Sequence, residues 1–154
     1  MQIRVHKGDG RHRLVCVRDD GSSTQAETGP GLPAHDLAHY VAERALALRR
    51  GFFGSIAAGR TIGELGDPAV IRTLPPEAWT AETLARALGA VSTGGCRVDE
   101  LPALVRAELG ADALPALDGT VARAMADEFA ALLACWRALP DGDTLLLDWP
   151  ERAS

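Results

Sequence analysis

From Leu32 the chain reads Leu-Pro-Ala-His-Asp-Leu-Ala-His-Tyr-Val-Ala-Glu, which sets His35, His39 and Glu43 four residues apart in turn. A four-residue step on an α-helix returns to the same face, so the three side chains form a row. Two imidazoles one turn apart can share a divalent transition metal such as zinc, as in the His-Glu-x-x-His zinc hydrolases. Asp36 stands where those enzymes carry the general base, although an aspartate is one methylene shorter and reaches a metal-held water less easily. At 1.5 Å of rise per residue, His35 and Glu43 lie about 12 Å apart along the axis, so one ion can use either adjacent pair but hardly all three. The candidate metal ligands are therefore His35, His39 and Glu43, with Asp36 as the candidate catalytic residue. A further ligand would have to come from elsewhere: His6 and His12 are the only other histidines, and Asp19, Asp20 and Glu64 are carboxylate alternatives. The plainer reading makes the two histidines a polar pair at the edge of the core, with Asp36 serving the helix dipole.

Other chemistry is weakly signalled. Cys96 follows Ser92-Thr93-Gly94-Gly95, which reads more simply as a helix connection with a buried thiol than as a nucleophile on a glycine turn. Tyr40 is the only tyrosine and fits a core edge with its hydroxyl at the rim. Neither a Gly-x-Gly-x-x-Gly nor a Gly-x-x-x-x-Gly-Lys-Ser/Thr phosphate loop occurs. The histidine segment, with Gly51-Phe52-Phe53-Gly54 and Ala57-Ala58-Gly59 after it, resembles a group of uncharacterised bacterial proteins that carry Leu-Pro-His-Asp-Leu-x-His and a glycine-rich continuation. It covers 28 residues, and Ala34 interrupts the pattern between Pro33 and His35. The resemblance implies a shared fold and brings no activity or ligand with it.

The elements that must position these residues can be read along the chain. Asp9-Gly10 is a hairpin dipeptide, and a two-residue loop there sets Val5 opposite Leu14 and Ile3 opposite Cys16, with His6 and His12 on opposite faces. Val15 and Val17 on the second face point to a strand covered on both sides, and a short third strand is expected over 23–27. Pro33 opens a helix over 33–50 that Gly51 stops, and a short helix comes next over 52–58. Residues 59–76, with three glycines and three prolines, read as loop with at most a helical turn near Thr61, and as the best candidate for a mobile lid or linker. Thr80 and Asp99 are expected to cap helices carrying Leu84, Leu88 and Val91, and Leu101, Leu104, Val105 and Leu109. Asp118 caps the clearest helix, where Val121, Met125, Phe129, Leu132, Trp136 and Leu139 recur at helical steps. A last strand, 144–149, should join the N-terminal hairpin.

The fold class is thus α+β: a small antiparallel sheet, from the N-terminal hairpin and the C-terminal strand, packed on a layer of about five helices. With 154 residues, one domain spanning 1–154 is expected. Hydrophobic residues at 47%, charged residues at 24% and a mean hydropathy of zero describe a folded chain rather than a disordered one. The N-terminal residues alternate in polarity where a signal peptide would be continuously apolar, so a cytoplasmic protein is expected, bacterial as the resemblance implies. Three distant cysteines offer neither a disulfide framework nor a Cys-x-x-Cys site. Net charge is −5 with no basic run, which argues against nucleic acid and anionic lipid as partners. Two functional classes stay open: a binding or assembly module that forms a homo-oligomer or takes a protein partner, and a metal-dependent, hydrolase-like enzyme built on His35 and His39.

Overall fold

A computed structural model describes residues 1–114 and 116–150. Four strands, β1 (Gln2–His6), β2 (His12–Val17), β3 (Ser23–Thr28) and β4 (Thr144–Asp148), form one antiparallel sheet in the order β3-β2-β1-β4. The register is the one the Asp9-Gly10 turn dictates, with Ile3 paired to Cys16 and Val5 to Leu14. Gly10 takes φ +72°, and a Cβ on Gly8 would lie 2.2 Å from the Arg11 carbonyl, so both glycines are required by the turn. Ile3, Val5, Leu14 and Cys16 are buried on one face. Val15 and Val17 are only half-buried on the other, which corrects the expectation of a strand covered on both sides.

The helices pack on the buried face: α1 (Leu32–Ala45), α2 (Phe52–Ala57), α3 (Ile62–Leu65), α4 (Pro68–Ile71), α5 (Pro76–Ser92), α6 (Leu101–Leu109) and α7 (Gly119–Ala138). The described residues are 50% helical and 15% strand, an α+β fold with helix well over twice strand. Among the described residues no helix is long and apolar enough to cross a membrane. Asp118 caps α7 as its sequence requires, its Oδ1 accepting from the amides of Thr120 and Val121. The two helices beyond the expected five are the single turns α3 and α4. Thr61 and Glu64 close a capping box on the first, and Asp67 caps the second.

Three helix ends depart from expectation. α1 stops five residues before Arg50 because the chain turns at Ala47, which takes φ +51°. The amide of Leu48 bonds the Glu43 carbonyl at 2.8 Å and that of Ala47 bonds the Arg44 carbonyl at 3.3 Å, while Leu48 itself is buried. This is the Schellman ending, built on an alanine where glycine is usual, which is why composition did not betray it. α5 begins at Pro76, whose missing N–H costs nothing in a first turn, and Thr80 lies inside the helix with its hydroxyl donated to the Pro76 carbonyl. Asp99 does not cap α6; it pairs with Arg97, and the N-cap is Glu100.

Lys7, the only lysine, closes the far end of the molecule. Its Nζ donates to the carbonyls of Trp136, Arg137 and Leu139 at 3.0, 3.2 and 2.7 Å and lies 5.4 Å from the Trp136 ring centre. A cation thus satisfies the orphan carbonyls at the negative end of α7 and ties that helix to the sheet.

Candidate functional site

α1 lies against α5 and α7 at the centre of the helical layer. Its row of every-fourth residues faces α5, whose buried side carries Ala81, Leu84, Ala85 and Leu88. The His35 and His39 rings stand edge to face with centres 4.7 Å apart. Glu82 of α5 meets both: its Oε2 is 3.3 Å from His35 Nε2 and 3.1 Å from His39 Nε2. One ligand atom from each of His35, His39 and Glu82 can be chosen so that all three lie within 4.8 Å of one another. Around a tetrahedral ion with bonds near 2.1 Å, ligand atoms stand about 3.4 Å apart, so two of the three pairs already have that spacing. The cluster is compatible with metal binding.

Glu43 does not sit where the four-residue spacing would put a ligand. It is fully buried on the other side of His39, its Oε1 3.1 Å from His39 Nδ1, and it is not part of the group that could close on one ion. Its two oxygens also accept the amides of Phe52 at 2.7 Å and Gly54 at 3.1 Å. α2 has no side-chain cap of its own, because its N-cap is Gly51. Glu43 supplies the cap from another helix, and the Schellman turn after α1 is what folds Gly51 back onto it. A Cβ on Gly51 would fall 2.3 Å from the Glu43 Cδ, so only glycine permits the approach. The arrangement matches the outer-shell carboxylate that fixes the tautomer of a metal-binding histidine.

The remaining candidate ligands are engaged elsewhere. His12 packs edge-on against Trp136 and accepts the Gly8 amide, while His6 meets Thr144 on the opposite face of the sheet. Asp19 pairs with the Met1 amino group, Asp20 accepts from Ser22, and Glu64 belongs to the Thr61 capping box. Tyr40 donates its hydroxyl to the Asp148 carbonyl at 3.0 Å, linking α1 to β4. Glu82 carries no local signal: its chain neighbours mark an ordinary amphipathic helix, and only the α1–α5 packing selects it from the 21 acidic residues.

The cluster forms one wall of a cavity of about 660 Å³ whose lining also includes Asp36, Thr28, Phe52 and residues of α3 and α4. Burial disfavours charge on His39, but hydrogen bonds to Glu43 and Glu82, and their charges, outweigh it and raise its pKa to about 9. The same bonds, from His35 and His39, hold Glu82 well below the usual carboxylate range. No known protein family, curated protein or solved structure matches this chain.

Asp36 is buried beside the cluster, and burial pushes its pKa up to about 6 against the pull of His39 and His35. Among the described residues its side chain takes part in no hydrogen bond or ion pair within 3.5 to 4.0 Å, so an ionised Asp36 is a net cost to folding. In metal-free protein at pH 7, Asp36→Asn should raise stability by about 1–3 kcal/mol. Urea unfolding of the two proteins checks this, and a less stable variant would show that the carboxylate is held by interactions the geometry does not contain.

Proposed function

We propose that the protein binds one divalent transition metal, zinc fitting the donor set best, through His35, His39 and Glu82, and uses it for hydrolase-like chemistry in the adjoining cavity. The observation that carries this reading is the convergence of two imidazoles and one carboxylate at ligand spacing on a cavity wall. Two histidines and a carboxylate leave a coordination position open for water or substrate, as catalytic zinc sites require. The metal would act as a Lewis acid; Glu43 would hold the His39 ring by its far nitrogen, and Asp36, in the same cavity lining, would accept a proton. The expected ligand set therefore keeps His35 and His39, takes Glu82 as the third member, and moves Glu43 one layer out.

One observation favours a second reading: both His39 nitrogens already have carboxylate partners, so the cluster is complete as an ionic tie between α1, α5 and α2. Such a chain would be a binding or assembly module and should elute above its 16.2 kDa monomer mass on a sizing column. Calorimetric titration with zinc separates the two. The metal reading expects one zinc per chain, a raised melting temperature, and loss of binding in His35→Ala, His39→Ala and Glu82→Gln. A flat titration with no thermal shift would reject it.

A further inference from the structure

The cavity beside the cluster has a character of its own. Leu14, Ala26, Phe52, Ile62, Leu65 and Ile71 give it an apolar wall, and its volume of about 660 Å³ is within the usual range for small-molecule sites. Two of its lining residues are large apolar side chains left in solvent, Leu32 at 47% exposure and Trp79 at 49%. The cover is slight: α3 and α4 contain no buried residue, and the Ile62 amide is tied to the sheet by the Thr24 hydroxyl at 3.0 Å. Apolar side chains gathered on a thin cover over a cavity lose free energy to water unless something nonpolar fills the space. Thr28 also lines the cavity, with its Oγ1 buried away from solvent.

Charge narrows the occupant further. A divalent ion held by two neutral imidazoles and the Glu82 carboxylate keeps one positive charge. Glu43 behind His39 and the carboxylates of the lining offset that charge at a distance, so only a head group bonded directly to the ion gains from it, and a single negative charge is the most it supports. Asp36 and Glu27 belong to the same lining and disfavour a doubly charged one.

Resting on the metal reading above, we propose that the cavity takes a monoanionic amphiphile, with a carboxylate-type head on the metal and a hydrocarbon body of several carbons against α3, α4 and Trp79. Calorimetry on the zinc-loaded full chain with acetate, butanoate, hexanoate, octanoate and octyl phosphate tests it. Affinity should rise about fourfold per methylene from butanoate to octanoate, following the transfer free energy of each buried group. Octyl phosphate should bind more weakly than octanoate. Trp79→Ala, at an exposed position, and Ile71→Ser should each weaken octanoate about tenfold while leaving zinc affinity unchanged. Zinc bound with equal affinity for acetate and octanoate would overturn the amphiphile and leave the metal standing. Octanoate binding zinc-free protein as tightly as loaded protein would overturn the placement of its head group. Absence of zinc binding would instead overturn the metal reading itself.

Discussion

Glu43→Ala should cost about 3–5 kcal/mol of folding stability, a large part of the roughly 5–15 kcal/mol that holds a domain together. The side chain is fully buried and serves three donors at once: the amides of Phe52 and Gly54, and His39 Nδ1. Alanine leaves all three without an acceptor in a place water does not reach, removes the anion from the positive end of α2, and strands the His39 charge beside a cavity. Glu43→Gln keeps the shape and one acceptor oxygen but turns its NH₂ toward a donor, so it should cost roughly half as much. Guanidinium unfolding of the three proteins gives the comparison, and a cost below about 1 kcal/mol for alanine would mean the α1–α2 junction can rearrange around the loss. On the metal reading, a folded Glu43→Gln protein should bind zinc about 10- to 100-fold more weakly, the usual penalty for losing the outer partner of a ligating histidine.

The second large effect is on pH dependence. His39 titrates at about 9 in the folded protein, against 6.5 in a free chain. The folded state therefore holds this proton more tightly than the unfolded state. Its contribution is fully present below about pH 6.5 and is lost as pH rises through 9, about 3 kcal/mol over the whole window. Metal-free protein should accordingly become less stable from pH 6.5 to 9, and His39→Gln should flatten that stretch of the profile. Asp36 changes at lower pH, between 3.8 and about 6, and Cys16, whose thiol burial pushes up to about 12, changes above the window. A stability that is level or rising between pH 7 and 9 would show that His39 is neutral between its two carboxylates. On the metal reading zinc would displace the same proton, so its affinity should climb about tenfold per pH unit across pH 6–8. That sets the dependence well above the range expected of an unperturbed histidine.

Much of the framework was legible because short-range chemistry fixes it. Asp9-Gly10 allows one register, Asp118 can cap only a helix that starts at Gly119, and the α7 stripe has one period. The breaks were less visible where an unusual residue fills a usual role, as Ala47 does in the left-handed position at the end of α1. Pro75-Pro76 opens α5, although the hydroxyl of Thr80 is the stronger capping signal in the sequence. In the site, the helical spacing brought His35 and His39 together on one face, but spacing along a single helix says nothing about what the next helix contributes. Glu82 comes from that next helix. Glu43 stands out in the sequence by its place in the row, whereas its partners are set by a loop that doubles back and by a glycine, Gly51, whose missing side chain makes the room.

Lys7 has a consequence for covalent chemistry. It is the only ε-amine in the chain, and its Nζ lies within hydrogen-bonding distance of three carbonyl oxygens at the C-terminal end of α7. An amine so engaged is a poor nucleophile until those bonds open and a proton leaves. Acylation or carbamylation at Lys7 must therefore wait for those three bonds to open. Once formed, the neutral adduct could not return to its three acceptors. Modification would be slow in the native protein and would hold that corner open thereafter, so chemistry at one side chain would record past excursions of the fold.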